Sequence, residues 1–149
     1  MKQDTFELSV FIRSSVDATL ALVSDFSRHH HFHPLIIGVD VETNPPAGVL
    51  KRYFITDQLQ WGPFRFKIKY RADILSITAD AVHTEAYQSP GTTVDNLTTV
   101  TQTEGGVTLH ERVTLQAPDL LFGYAFGQAK NAHAEMLQRI KAHLETQPA

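Results

Sequence analysis

Two residues, His133 and Glu111, combine a chemistry-bearing side chain with an apolar setting. His133 falls in the apolar stripe of the last amphipathic segment, between Phe126 and Ile140 in angle. A buried imidazole needs both nitrogens served, by protein or by ligand. It is therefore either a core or border histidine bonded to a backbone carbonyl, or a hydrogen-bonding or acid–base group in a pocket. Glu111 alternates in phase with Val107, Leu109, Val113 and Leu115, while Thr108, His110, Arg112 and Thr114 take the other face. A carboxylate among apolar neighbours acquires a raised pKa or a cationic partner, and either makes it a pocket candidate. The alternatives are a bulge that turns it to solvent, or an ion pair with an arginine of the next strand.

A second constellation is His83, Glu85 and Tyr87, one face of a strand whose other face is Val82, Thr84 and Ala86. Neither set is clearly apolar, so periodicity leaves open which looks inward. The polar set turned inward would give a cavity a histidine, a carboxylate and a phenol, enough for general acid–base chemistry. Asp57, Asn96 and Trp61 carry weaker forms of the same ambiguity. Four histidines crowd between Arg28 and Pro34: His29, His30, His31 and His33. Imidazole is a common metal ligand, but successive residues on a helix diverge and no further ligand stands at a suitable spacing, so no metal site is expected.

The elements that must position these groups follow from hydrophobic period. Phe6, Leu8, Val10 and Ile12 alternate with Glu7 and Ser9 as a half-buried strand does. Ser14 with Asp17 resembles a capping box, so residues 15–27 are predicted as a short helix, with a second short helix or turn over Arg28–His33. Strands are predicted over Ile36–Thr43, Val49–Gln60, Phe64–Ile74, Ala81–Gln88, Thr93–Thr103 and Val107–Gln116, punctuated by Asn44-Pro45-Pro46, Gly62-Pro63, Ser89-Pro90-Gly91 and Glu104-Gly105-Gly106. Short turns between successive strands imply an antiparallel sheet. In Phe64–Ile74, the set Phe64, Phe66, Ile68 and Tyr70 opposes a basic row, Arg65, Lys67, Lys69 and Arg71, expected on the solvated outer face. Asp119, after Pro118, is the expected N-cap of a long helix to about Glu145, whose apolar side carries Phe122, Phe126, Met136 and Ile140.

Composition removes several classes of function. With no cysteine, disulfides, thiolate nucleophiles and cysteine-ligated metals are excluded. Thirteen basic against sixteen acidic residues give a net charge of −3, no footprint for nucleic acid. No stretch approaches the roughly 18 apolar residues of a membrane span, so no integral membrane association is expected. Nothing resembling a signal peptide precedes the first strand, and a cytoplasmic protein is the expectation. The length of 149 residues suits a single domain, and no motif calls for a cofactor.

A curved antiparallel sheet with one apolar face must bury it against the long amphipathic helix, and its twist can leave a hollow between them. The order strand, two short helices, six strands, long helix resembles the START-like or SRPBCC superfamily, with its polyketide cyclases/dehydratases and lipid-transfer domains. The residues carrying the resemblance are Val16–Arg28, with Asp25-Phe26 near the end of that helix, His33-Pro34 before the second strand, and the closing Lys130–Leu144 helix. Ser15-Val16 stands where a proline is common and Leu20 where an aromatic is common. The resemblance implies an α+β helix-grip fold of about seven strands over residues 1–149, with a cavity between sheet and helix.

Three functions fit such a frame. The first is binding of a small hydrophobic molecule, lipid-like, polyketide-like or aromatic, against His133, Glu111, Phe122, Phe126, Met136, Ile140, Phe66, Ile68, Tyr70 and Tyr87. The alternative is a polyketide cyclase/dehydratase-type enzyme with its acid and base in the same cavity. The third is a protein-interaction module that uses edges and loops to hold a protein partner.

Overall fold

The computed structural model describes residues 1–146, and at Trp61 the backbone alone. The chain runs β1 (Lys2–Ile12), α1 (Val16–Val23), a three-ten helix (Phe26–His31), β2 (Ile36–Val41), β3 (Lys51–Trp61), β4 (Phe64–Ile77), β5 (Ala81–Gln88), β6 (Thr92–Thr103), β7 (Gly106–Ala117) and α2 (Asp119–Glu145). The strands form one antiparallel sheet in the order β1-β7-β6-β5-β4-β3-β2. From β2 onward each strand pairs with the next in sequence, so hairpins build most of the sheet and β1 completes it along β7. Among the described residues no helix is long and apolar enough to cross a membrane.

Helix starts fall within a residue or so of where the sequence places them, but α1 ends at Val23 rather than at residue 27 and the three-ten helix takes over Phe26–His31. The cap of α1 is Ser15 rather than Ser14: its Oγ accepts from the Ala18 amide at 3.1 Å. Asp119 is the first residue of α2 and not its cap; Pro118 holds that place, with no side-chain cap bond. A proline suits the start of a helix because the N–H it lacks would have had no partner there. In the β6–β7 turn Gly105 has φ +82°, and a Cβ on Gly106 would lie 2.2 Å from the Ile12 carbonyl oxygen. Glycine is what lets β7 start pressed against the end of β1.

The core lies where the sheet's concave face meets the second half of α2. Ile12, Tyr53, Ile74, Val107 and Leu109 from the sheet enclose Met136, Leu137 and Ile140 from the helix. Burying each such side chain stabilises the fold by roughly 1.5–3 kcal/mol before entropy is charged against it. The helix packs on β1 and β7 rather than on the middle of the sheet. Its buried residues begin only at Ala132; Ala129, Ala125 and Leu121, about one, two and three turns earlier on the same stripe, stay partly exposed. The first half of α2 keeps to the β1 side and stands off the middle of the sheet, and the hollow that results decides where the site lies.

Candidate functional site

The hollow is a cavity of about 330 Å³ between α2 and the inner faces of β3, β4, β5 and β6. Leu59, Phe66, Ile68 and Val94 line it from the sheet; Leu121, Ala125 and Ala129 line it from the helix. A smaller chamber of about 80 Å³ lies deeper, sharing His33, Tyr70, Ala86, Val94 and His133 with the first and reaching Met136 and Ile140. The small residues on the helix make this space: alanines at 125, 129 and 132 leave room that leucines would fill.

Polar groups gather where the two chambers meet. Glu111 is buried, 2% exposed, because β7 runs in unbroken register with β1 and β6, and strand alternation carries its side chain to the core face. His133 comes from α2 above it, and the two side chains bond at 2.7 Å between Nδ1 and Oε2. Burial pulls the His133 pKa down, but the charge of Glu111, its hydrogen bond and the nearby Asp57 outweigh that and leave the value raised. The pair joins a buried carboxyl to a half-buried imidazole. Phe6 closes its flank, with ring centroids 6.0 Å from His133.

Asp57 and Tyr70 form the opposite side. Tyr53, Ile55, Asp57 and Leu59 alternate inward along β3, so the carboxyl is buried by the same parity that buries Glu111. The Tyr70 hydroxyl donates to its Oδ1 at 3.3 Å. Burial raises Asp57 from 3.8 to about 6, against smaller opposing effects of the Tyr70 hydrogen bond and the His133 charge. Burial and the Asp57 carboxyl hold the Tyr70 phenol well above its ordinary 10.0.

Two of the clustered histidines belong to this site as well. His33 lines both chambers, its ring edge-on to His133 with centroids 5.7 Å apart. Its Nδ1 accepts from the Leu35 amide at 3.3 Å, so in the neutral ring Nε2 carries the proton. Burial, with the nearby positive charge of His133, lowers His33 to about 3. His29 is buried under Phe26 and lines the inner chamber; burial lowers it to about 4. The neighbouring His30 and His31 are exposed. A three-ten helix turns its side chains apart by about 120°, so one histidine of three is carried inward.

Several sequence expectations are placed elsewhere. Phe126 packs edge-on against Phe6 of β1 at 5.5 Å and stacks on Phe122 at 5.4 Å, so both close the β1 flank and neither lines a chamber. The seat of α2 over β1 is the reason. Phe64 is 72% exposed at the strand end. Tyr87 does not face the cavity. Val82, Thr84 and Ala86 of β5 turn inward; Glu85 also borders the inner chamber, but its carboxyl joins His83 and Tyr87 on the outer face. There the Tyr87 hydroxyl bonds Glu85, the Arg71 guanidinium sits 4.4 Å over its ring, and His83 pairs with Asp95 at 2.7 Å. His83, Glu85 and Asp95 bring their side-chain atoms within 4.8 Å of one another on this partly exposed face. Of the basic row, Arg71 joins Arg52 on Asp73 and Arg65, Lys67 and Lys69 are exposed. The Trp61 side chain lies outside the described atoms, and Asn96 lines the inner chamber.

No protein-family model and no curated protein matches the chain. Solved structures do. The di-domain ARO/CYC StfQ from the steffimycin biosynthetic pathway superposes with a TM-score of 0.77 at 16% identity, over 96% of this chain and 51% of that one. A START superfamily protein from Mycobacterium smegmatis gives 0.75 at 12% identity, over 95% and 97%. Ara h 8.0201 gives 0.69 at 14% identity, over 98% and 100%. The fold is START-like. The chain spans about half the length of the di-domain proteins, and at these identities the likeness establishes architecture alone.

Within this START-like frame the chemistry belongs to the chain's own side chains. A raised imidazole held by a buried carboxylate can donate a proton or a strong hydrogen bond to whatever enters. A carboxyl near 6 on the opposite wall changes charge within the neutral range. The rest of the lining offers apolar contact.

Proposed function

We propose that this chain binds a small, largely apolar, ring-bearing molecule in the cavity beneath the first half of α2. The observation that carries this reading is the cavity itself. About 330 Å³ sits at the lower end of the ~300–1,000 Å³ range of small-molecule sites, and its mostly apolar lining converges on a few buried polar groups. A fold that needed only stability would fill the space, since each unfilled methyl-sized void costs about 1 kcal/mol. The apolar body of the ligand rests on Leu59, Phe66, Ile68 and Ala129, and its polar end meets His33, His133, Asp57 and Tyr70.

A second reading, an enzyme of cyclase or dehydratase type, is favoured by one arrangement: His133 and Tyr70 line both chambers, with Glu111 on the inner one and Asp57 on the outer. One side can supply a proton while the other takes one up, which enolisation or dehydration of a carbonyl compound requires. Binding comes first in either case. Titration with Nile red, a neutral apolar dye, tests it: saturable, one-to-one emission enhancement is expected. Emission no greater than for an ordinary globular protein of similar size would remove the proposal.

A further inference from the structure

Given the binding role proposed above, on which this inference rests, charge constrains which molecule can occupy the cavity. Among the described residues no lysine and no arginine lines either chamber. Arg139, the nearest arginine to His33 electrostatically, is engaged outside with Glu135. The walls instead hold Asp57 and Glu111, and Glu85 borders the inner chamber while its carboxyl bonds the Tyr87 hydroxyl. Glu111 is matched by His133 at 2.7 Å. Asp57 is matched by no ion pair among the described residues, and its contact with the Tyr70 hydroxyl, at 3.3 Å, lies at the long end of hydrogen bonding.

An acid or a phosphate ester entering this space would lose its water, find no free cation, and come to rest beside a carboxyl of its own sign. An ammonium group would gain a partner and relieve the buried carboxyl at once. His33 adds a donor at Nε2, suited to a ring oxygen or a π face but carrying no charge of its own. We infer that Asp57 selects a ring-bearing amine, held as the ammonium ion with its rings against Leu59, Phe66 and Ile68, over the corresponding alcohol, and that it rejects acids of the same skeleton. The volume admits about two or three fused rings.

Displacement of Nile red by naphthylethylamine, naphthylethanol and naphthylacetic acid, at about pH 7.5, tests this, because the three differ only in the polar end. The amine is expected to bind at least about tenfold more tightly than the acid, with the alcohol between them. In Asp57→Asn the amine should lose its advantage, the ratio of amine to alcohol affinity falling to about one. Equal affinity of amine and acid for the wild-type protein would overturn the assignment with no variant needed. An amine preference that survives in Asp57→Asn would overturn it as well. Failure of Nile red itself to bind would overturn the binding role instead, so the two failures are told apart.

Discussion

Replacing Asp57 by asparagine should make the protein more stable at neutral pH, against the usual effect of a substitution in a buried site. A carboxyl raised from 3.8 to about 6 is one that the native state disfavours when ionised. The native state holds the proton more tightly than the unfolded chain does, so stability is greatest below the unfolded value and is lost as pH rises through about 6. Above both values the loss amounts to roughly 3 kcal/mol, at about 1.4 kcal/mol per pH unit. Asparagine has nearly the same shape, keeps an oxygen for the Tyr70 hydroxyl and never ionises. Urea unfolding followed by far-ultraviolet circular dichroism, stepped from about pH 4 to about pH 8, would read the difference. The variant and the wild-type protein should be close at the acid end, and the variant should lead by roughly 2–3 kcal/mol at the neutral end, with unchanged m. A variant less stable at neutral pH, or a difference that does not change with pH, would refute the reasoning.

Glu111→Ala strips His133 of its partner and should cost about 3 kcal/mol, with the His133 imidazole titrating well below its wild-type position by NMR; an unmoved titration would mean the pair is not coupled. Because His29 and His33 are held at about 4 and about 3, their neutral burial contributes stability above 6.5 that disappears as pH falls toward those values. His33→Gln should therefore lower the acid-unfolding midpoint, and an unchanged midpoint would contradict the assignment. Ala129→Phe puts a ring into the cavity from the helix side, and Nile red affinity should fall at least about tenfold for a helix-propensity cost near 0.5 kcal/mol. Undiminished dye binding would move the dye elsewhere.

Most of the frame was legible because a half-buried sheet writes itself in two-residue alternation. Phe6 to Ile12 and Val107 to Leu115 point inward as their parity says, and α2 ends at Glu145. Glu111 was legible for the same reason, a carboxylate in phase with valines and leucines. Asp57 carries an equal signal between Ile55 and Leu59, and that alternation would have found it. His29 and His33 were not legible. Their burial depends on how one irregular turn leans over the end of the helix, and no period marks that. Nor could pattern place Phe122 and Phe126. Both lie on the apolar stripe of α2, but the helix sits toward β1, and that lateral offset is a tertiary fact. Tyr87 shows the limit of parity in a strand with no apolar face: Val82, Thr84 and Ala86 turn inward because Asp73, Asp95 and Arg71 offer the other set polar partners outside.

The most direct measurement of the central claim is a map of where a neutral ring compound sits. Naphthylethanol titrated into isotope-labelled protein, followed by amide proton–nitrogen correlation spectra, gives that map without relying on any charge preference. The expected result is saturable shifts concentrated at Leu59, Ile68, Ala86, Ala125 and Ala129, with Arg65, Lys67 and Tyr87 on the outer face unmoved. Shifts confined to the outer face, or none up to the solubility limit, would contradict a binding cavity beneath α2.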